Sequence, residues 1–124
     1  MQLREKLFSA LMPPREPHVV DERVEGPKRI AVVIRPDGDI QVEFHIDGRS
    51  GSPFEALFAV PEGSEESAAG EVCGFVTALL NERIVLAVDG RPFRGGNRWI
   101  SPNDLGGIRN LAFSASWGGS FDSC

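Results

Sequence analysis

Cysteine and histidine are scarce in this chain, two of each among 124 residues. Two cysteines cannot build the multiple-disulfide framework of a small secreted domain. Cys73 falls on the apolar side of a predicted helix and Cys124 is the last residue, so both thiols are expected to be reduced. A zinc site needs cysteines and histidines in closely spaced pairs, and none recurs here. Nucleophilic catalysis needs a nucleophile beside a base that a third group orients. His18 and His45 are the two histidines available, and Ser114 and Ser116 alternate along a predicted strand without a Gly-x-Ser-x-Gly elbow. No residue is assigned a catalytic or metal-binding role, no cofactor is implied, and the expectation is a protein that is not an enzyme.

Long apolar runs are missing too. No stretch approaches the roughly 20 residues of a membrane span. The opening MQLREKLFSALMPP breaks its apolar residues with Arg4, Glu5 and Lys6, where a signal peptide would be continuous. There is no internal repeat and no low-complexity block. These absences lead to the expectation of a cytoplasmic protein without a membrane partner.

The remaining composition, 41% hydrophobic and 25% charged, is ordinary for a globular protein. The length suits a single domain burying roughly 65–70% of its unfolded surface. The chain divides into a helix over 2–12, a linker over 13–28, a core over 29–119 and a short tail over 120–124. Leu3, Leu7, Phe8 and Leu11 recur at helical spacing and Pro13-Pro14 ends that segment. The linker has room for a short strand around Val19-Val20.

The clearest pattern is RIAVVIRPDGDIQVEFHID. Ile40, Val42, Phe44 and Ile46 alternate with Asp39, Gln41, Glu43, His45 and Asp47, while Ile30, Val32 and Ile34 alternate likewise. A period of two means strands with one buried and one solvated face. A two-residue Asp37-Gly38 loop would place Ile34 opposite Gln41 and mix the faces. A three-residue loop of Pro36, Asp37 and Gly38 places Ile34 opposite Ile40, Val32 opposite Val42 and Ile30 opposite Phe44. It also brings Arg35 near Asp39, Ala31 near Glu43 and Arg29 near His45, with an Arg35–Asp39 ion pair and with Glu43 and Asp47 left unneutralised.

SPFEALFAV fits either a strand or a helical face, and the tight VPEG that follows favours a strand. Ser64 caps a helix with Glu65 and Glu66 in its first turn, where acids favour the dipole. Its buried stripe is Ala68, Val72, Phe75, Val76, Leu79 and Leu80. RIVLAV reads as a strand, GRPFRGGN as a loop, and Trp99-Ile100 as the start of a short element. Ser101 then caps a brief helix with Pro102 at its first position. LAFSASW closes as a strand with Leu111, Phe113, Ala115 and Trp117 on its buried side. Phe121 either folds back over a sheet edge or faces a partner. The fold class is α+β, a two-layer sandwich of a largely antiparallel sheet with helices packed on one face.

The net charge of −5 is unevenly spread. Residues 1–36 carry seven bases and five acids, residues 37–71 nine acids against Arg49 alone, and residues 72–124 five bases and four acids. Such an acidic middle repels nucleic acid and attracts cationic protein surfaces. The same acids would also serve as a plain solvated face. DGRPFRGGNRW sets Arg91, Arg94 and Arg98 among glycines and aromatics. It lacks a Walker lysine and opens no long helix, so it reads as a loop whose arginines pair with local acids.

The closing SASWGGSFD, with Ser116, Trp117, Gly119 and Asp122, set after an amphipathic helix, a hairpin and a central helix, resembles immunity proteins of contact-dependent growth inhibition and related polymorphic toxin systems. This chain has Gly118 and Phe121 where such proteins tend to carry a basic residue and a tyrosine. The resemblance implies a protein-binding module of the toxin–antitoxin kind, which neutralises a cognate bacterial toxin with a basic surface. The expected contact residues are Glu43, His45, Asp47, Glu62, Glu65, Glu66 and Phe121, with no nucleic-acid partner. A small-molecule-binding or scaffold α+β domain stays open as an alternative, and an RNA-binding adaptor behind it.

Overall fold

The computed structural model describes residues 2–12, 15–48, 53–90 and 96–123. Pro13-Pro14, Arg49, the loop arginines Arg91 and Arg94, and Cys124 lie outside the described residues. The elements are α+β, and every strand pairing is antiparallel. The strands form two sheets of four and three strands where the sequence suggested one. The chain divides into two compact units, residues 1–74 and 75–124.

The first unit begins with α1, Leu3–Leu11. Leu7 and Leu11 are fully buried, while Phe8, on the same predicted stripe, is exposed. Four strands follow in the order β1 (His18–Glu25), β2 (Lys28–Ile34), β3 (Ile40–Ile46) and β4 (Phe54–Phe58). Half of the segment expected as a linker is thus an eight-residue strand that includes Val19-Val20, where the sequence has room for a short strand, joined to β2 by the two-residue turn Gly26-Pro27. Gly26 takes a left-handed φ of 58° at the first turn position, as a two-residue hairpin requires. A register shift between Val19 and Asp21 marks a bulge on this edge strand. β1 is largely exposed. Its core-side signal is correspondingly faint, which is why it reads as linker in sequence.

The β2–β3 hairpin has the register that parity demands: Ile34 faces Ile40, Val32 faces Val42 and Ile30 faces Phe44. All six side chains are at most 2% exposed. Gly38 supplies the left-handed residue of the loop, with φ 89°. The Arg35 and Asp39 backbones pair at 2.8 Å, but their side chains do not meet. Arg35 Nε lies 3.6 Å from Asp37, and Asp39 Oδ1 accepts the Val60 amide at 3.0 Å. The carboxylate fixes the chain leaving β4 instead of forming the expected ion pair. β4 is a strand, with Phe54 opposite Phe44.

Arg15 holds this unit together. Its guanidinium donates to the carbonyls of Leu11, Gly38 and Val60 at 3.0, 3.2 and 3.2 Å. It also donates to Glu65 Oε1 at 3.0 Å. One side chain therefore ties the end of α1, the hairpin loop, the exit from β4 and the start of α2, Glu65–Leu80. Ser64 stands just before α2, its carbonyl accepting the Ala68 amide at 2.8 Å and its hydroxyl donating to Pro61 O at 2.6 Å. The Glu65 carboxylate is held at the same helix start. Its own backbone amide above all, then that of Gly63 and the Arg15 charge, hold its pKa below the ordinary glutamate value against the opposing effect of desolvation. A carboxyl depressed on folding stabilises the fold above its unfolded pKa, and the contribution is lost as pH falls through the folded value. Glu65→Gln is expected to flatten the acid limb of a stability–pH curve below about pH 4.5, with little effect at neutral pH on the shape of that curve. Thermal melts across acidic pH measure it. On the buried stripe of α2, Ala68, Val72, Val76 and Leu79 are in place, joined by Ala69.

In the second unit β5 (Val85–Asp89) lies between β6 (Asn97–Ile100) and β7 (Leu111–Ala115). Val85, Leu86 and Ala87 are buried on both sides of the strand, which explains their unbroken apolar run. Phe75 and Trp99 meet edge to face at 5.3 Å. Ser101 caps the 3-10 helix Pro102–Gly107 by accepting the Asn103 amide at 3.3 Å. β7 ends at Ala115, so Trp117 lies in the following turn, half-buried rather than in the core. On the side read as buried Ala115 is in the core while Leu111, Phe113 and Trp117 are half-buried, and Ser114 and Ser116, on the side read as polar, are buried.

Candidate interaction surface

The face of the four-stranded sheet opposite Phe44 carries Glu22 and Val24 from β1 and Arg29, Ala31 and Val33 from β2. Gln41, Glu43 and His45 come from β3, and Glu55 and Leu57 from β4. A polar chain crosses three of these strands. Arg29 donates to Glu22 at 3.1 Å and reaches His45 Nε2 at 3.0 Å. His45 Nε2 lies 3.0 Å from Glu43 Oε1, and Gln41 donates to Glu43 Oε2 at 2.6 Å. Ala31, between Glu22 and Glu43 in register, is 1% exposed; the long side chains on either side close over it. Glu43 is therefore engaged locally, where sequence alone left it unneutralised. The side chains of Glu43 and His45 keep 18% and 26% of their surface open to solvent.

Glu43 also stands directly opposite Glu55. Like charges so placed destabilise a sheet, and this pairing occurs on a face that also exposes Val19, Val24 and Leu57. Asp47 is exposed just beyond β3 and lines, with Val24, Lys28, Arg29 and His45, a groove of about 260 Å³ at the β1–β2 turn.

The other expected contacts divide. Glu62 is exposed in the turn before α2, and Glu66 is exposed on its first turn with Arg4 3.9 Å away. Glu65 is bound to Arg15 with 14% of its side chain exposed, so its carboxylate is committed inside the fold. Phe121 belongs to the second unit. Its amide donates to Ser116 Oγ at 3.0 Å and its carbonyl accepts from Ser114 Oγ at 2.6 Å. The tail is thus folded back along β7, while the ring stays 37% exposed. No family model, curated protein or solved structure matches this chain.

Sequence reasoning passed over Glu22 and Glu55 as members of this face. Once β4 is accepted as a strand, the alternation of Phe54, Ala56 and Phe58 with Glu55 and Leu57 would have pointed to Glu55. It also passed over Asp89, which ends the apolar run of β5 and is buried. Asp89 lines a polar cleft of about 240 Å³ with Arg98, Arg109 and Asn110, and Arg98 Nη2 lies 3.9 Å from its carboxylate. A groove of about 370 Å³ runs between Phe8 and Arg4 of α1 and Glu66 and Ala69 of α2. The polar cleft is smaller than the roughly 300–1,000 Å³ usual for small-molecule sites. Among the described residues no helix is long and apolar enough to cross a membrane.

Proposed function

We propose that this protein is a non-catalytic binding module, an immunity protein that occupies a basic surface of a cognate bacterial toxin domain and blocks it. The observation that carries the reading is the Glu43–Glu55 register on a solvent-facing sheet surface. It sets two carboxylates side by side where one cationic partner side chain can meet both. The surplus of eight acids over bases in residues 37–71 and the likeness of SASWGGSFD to immunity proteins support the same conclusion. In this reading Glu43, His45, Asp47 and Glu55 meet the toxin, with Glu62 and Glu66 adding to the field that steers it in.

Reversing Glu43 and Asp47 to Lys tests the reading against a toxin domain encoded beside this protein. Association is expected to slow by about tenfold and to lose its salt dependence. The exposed Asp47 contributes little to folding, so Asp47→Lys alone is expected to leave the melting temperature nearly unchanged, while the Glu43 reversal also breaks its contacts with Gln41 and His45. Rates indifferent to both salt and the substitutions would refute the assignment of this face.

A further inference from the structure

His45 Nε2 has two neighbours with opposite requirements. Arg29 Nη2, 3.0 Å away, can only donate, and an ionised Glu43 Oε1, also at 3.0 Å, can only accept. A ring nitrogen holds either a lone pair or a hydrogen. With the lone pair on Nε2, His45 accepts from Arg29 and turns electron density toward the Glu43 oxygen. With hydrogen on Nε2, it donates to Glu43 and opposes the Arg29 N–H. Protonating the ring places hydrogen on both nitrogens, so the charged ring selects the Glu43 contact.

The surrounding charges come from every strand of the sheet. Glu22 of β1 holds Arg29 from the far side at 3.1 Å. Lys28 and Arg29 of β2 and Asp47 after β3 line the groove with His45. Glu55 of β4 faces Glu43 in register. Gln41 donates to the second Glu43 oxygen, which leaves Oε1 as the oxygen that His45 and an incoming cation would share.

We propose that His45 couples docking of a basic partner side chain at Glu43 to the release of a proton. The neutral ring leaves Oε1 to the partner; the protonated ring occupies it and repels the cation. This rests on the reading of the face as a site for a basic partner. Histidine is the side chain that ordinarily changes charge between about pH 5 and 8, while surface carboxylates stay ionised above about pH 6. The second histidine, His18, lies at the start of β1 with Nδ1 2.7 Å from Glu16 O, away from the Glu43 contact, and serves as the control.

Binding of an oligolysine peptide, followed by fluorescence anisotropy at low salt, provides the test. The expected result is about fivefold weaker binding at about pH 6 than at about pH 8, the size of one exposed ion pair. His45→Gln should remove that difference and His18→Gln should keep it. Calorimetry of the wild-type protein in two buffers of unlike ionisation enthalpy should report protons released on binding, without any substitution. Binding that is lost in Glu43→Gln yet equal at both pH values, with no proton release, overturns the proton linkage and leaves the face intact. Binding that survives Glu43→Gln overturns both.

Discussion

Arg15→Ala is expected to lower the unfolding free energy of this protein by about 3 kcal/mol, equivalent to a fall of about 10 °C in melting temperature. The guanidinium is the donor to three backbone carbonyls and to Glu65, and only 19% of the side chain is exposed. Hydrogen bonds from a charged donor contribute about 1.5–3 kcal/mol each, but bonds sharing one side chain do not add in full. Gly38 shows how closely the group is fitted: a Cβ there would come within 3.2 Å of Arg15 Nη1. Arg15→Lys separates charge from geometry. A lysine keeps the attraction to Glu65 but presents a point charge, not a planar fork, so most of the loss should persist. Urea denaturation of both variants measures the effect. A loss under about 1 kcal/mol in Arg15→Ala would show that water replaces these bonds without penalty.

The role of Arg15 could not be seen in the sequence, and the reason is physical. Its partners Gly38, Val60 and Glu65 lie 23, 45 and 50 residues away, and a long-range polar clamp leaves no periodic trace. The β2–β3 hairpin was legible because strand parity and turn length must agree, and only a three-residue loop satisfies both. The division into two sheets was not, because β4 and β5 each read as a strand while their pairing partners depend on tertiary context. β1 reads too short in sequence, around Val19-Val20 alone, for a different reason: an exposed edge strand lacks the buried alternation that marks its neighbours.

The candidate surface was legible in part for similar reasons. Alternation placed Glu43 and His45 on the outer face of β3, and the hairpin register placed Arg29 beside His45, as found. That register could not show that Arg29, His45 and Glu43 join into one chain of contacts, since rotamers decide it. Glu65 reads in sequence as a first-turn acid favouring the dipole and as one of the acids offered to a partner. Here the adjoining amides and Arg15 hold it. Position within a helix fixes which groups are near, and the fold decides whether a carboxylate is spent on them.

The tail offers the second large effect. Ser116 is fully buried, and its amide donates to Asp122 Oδ1 at 2.9 Å. Four backbone contacts complete the return: Gly119 N–H to Ser116 O, Asp122 N–H to Gly119 O, and a reciprocal pair between Ser114 and Ser123 at 3.2 and 3.0 Å. Gly119 takes a φ of 86° at the bend, a conformation that a side chain resists. SWGGSFD is thus a self-closing loop, its serine and aspartate each satisfying the other's stretch of backbone, and its glycine allowing the reversal. Asp122→Ala removes the acceptor from a buried amide, which costs about 2 kcal/mol. Asp122→Asn keeps a carbonyl in its place and should lose less than half as much. The chain beyond Gly119 should then loosen in the alanine variant, raising amide exchange at Phe121 and Ser123 ahead of β5 and β6. Hydrogen exchange measured by mass spectrometry reads this directly, and equal protection of the tail in wild type and Asp122→Ala would show that the loop closes without its aspartate.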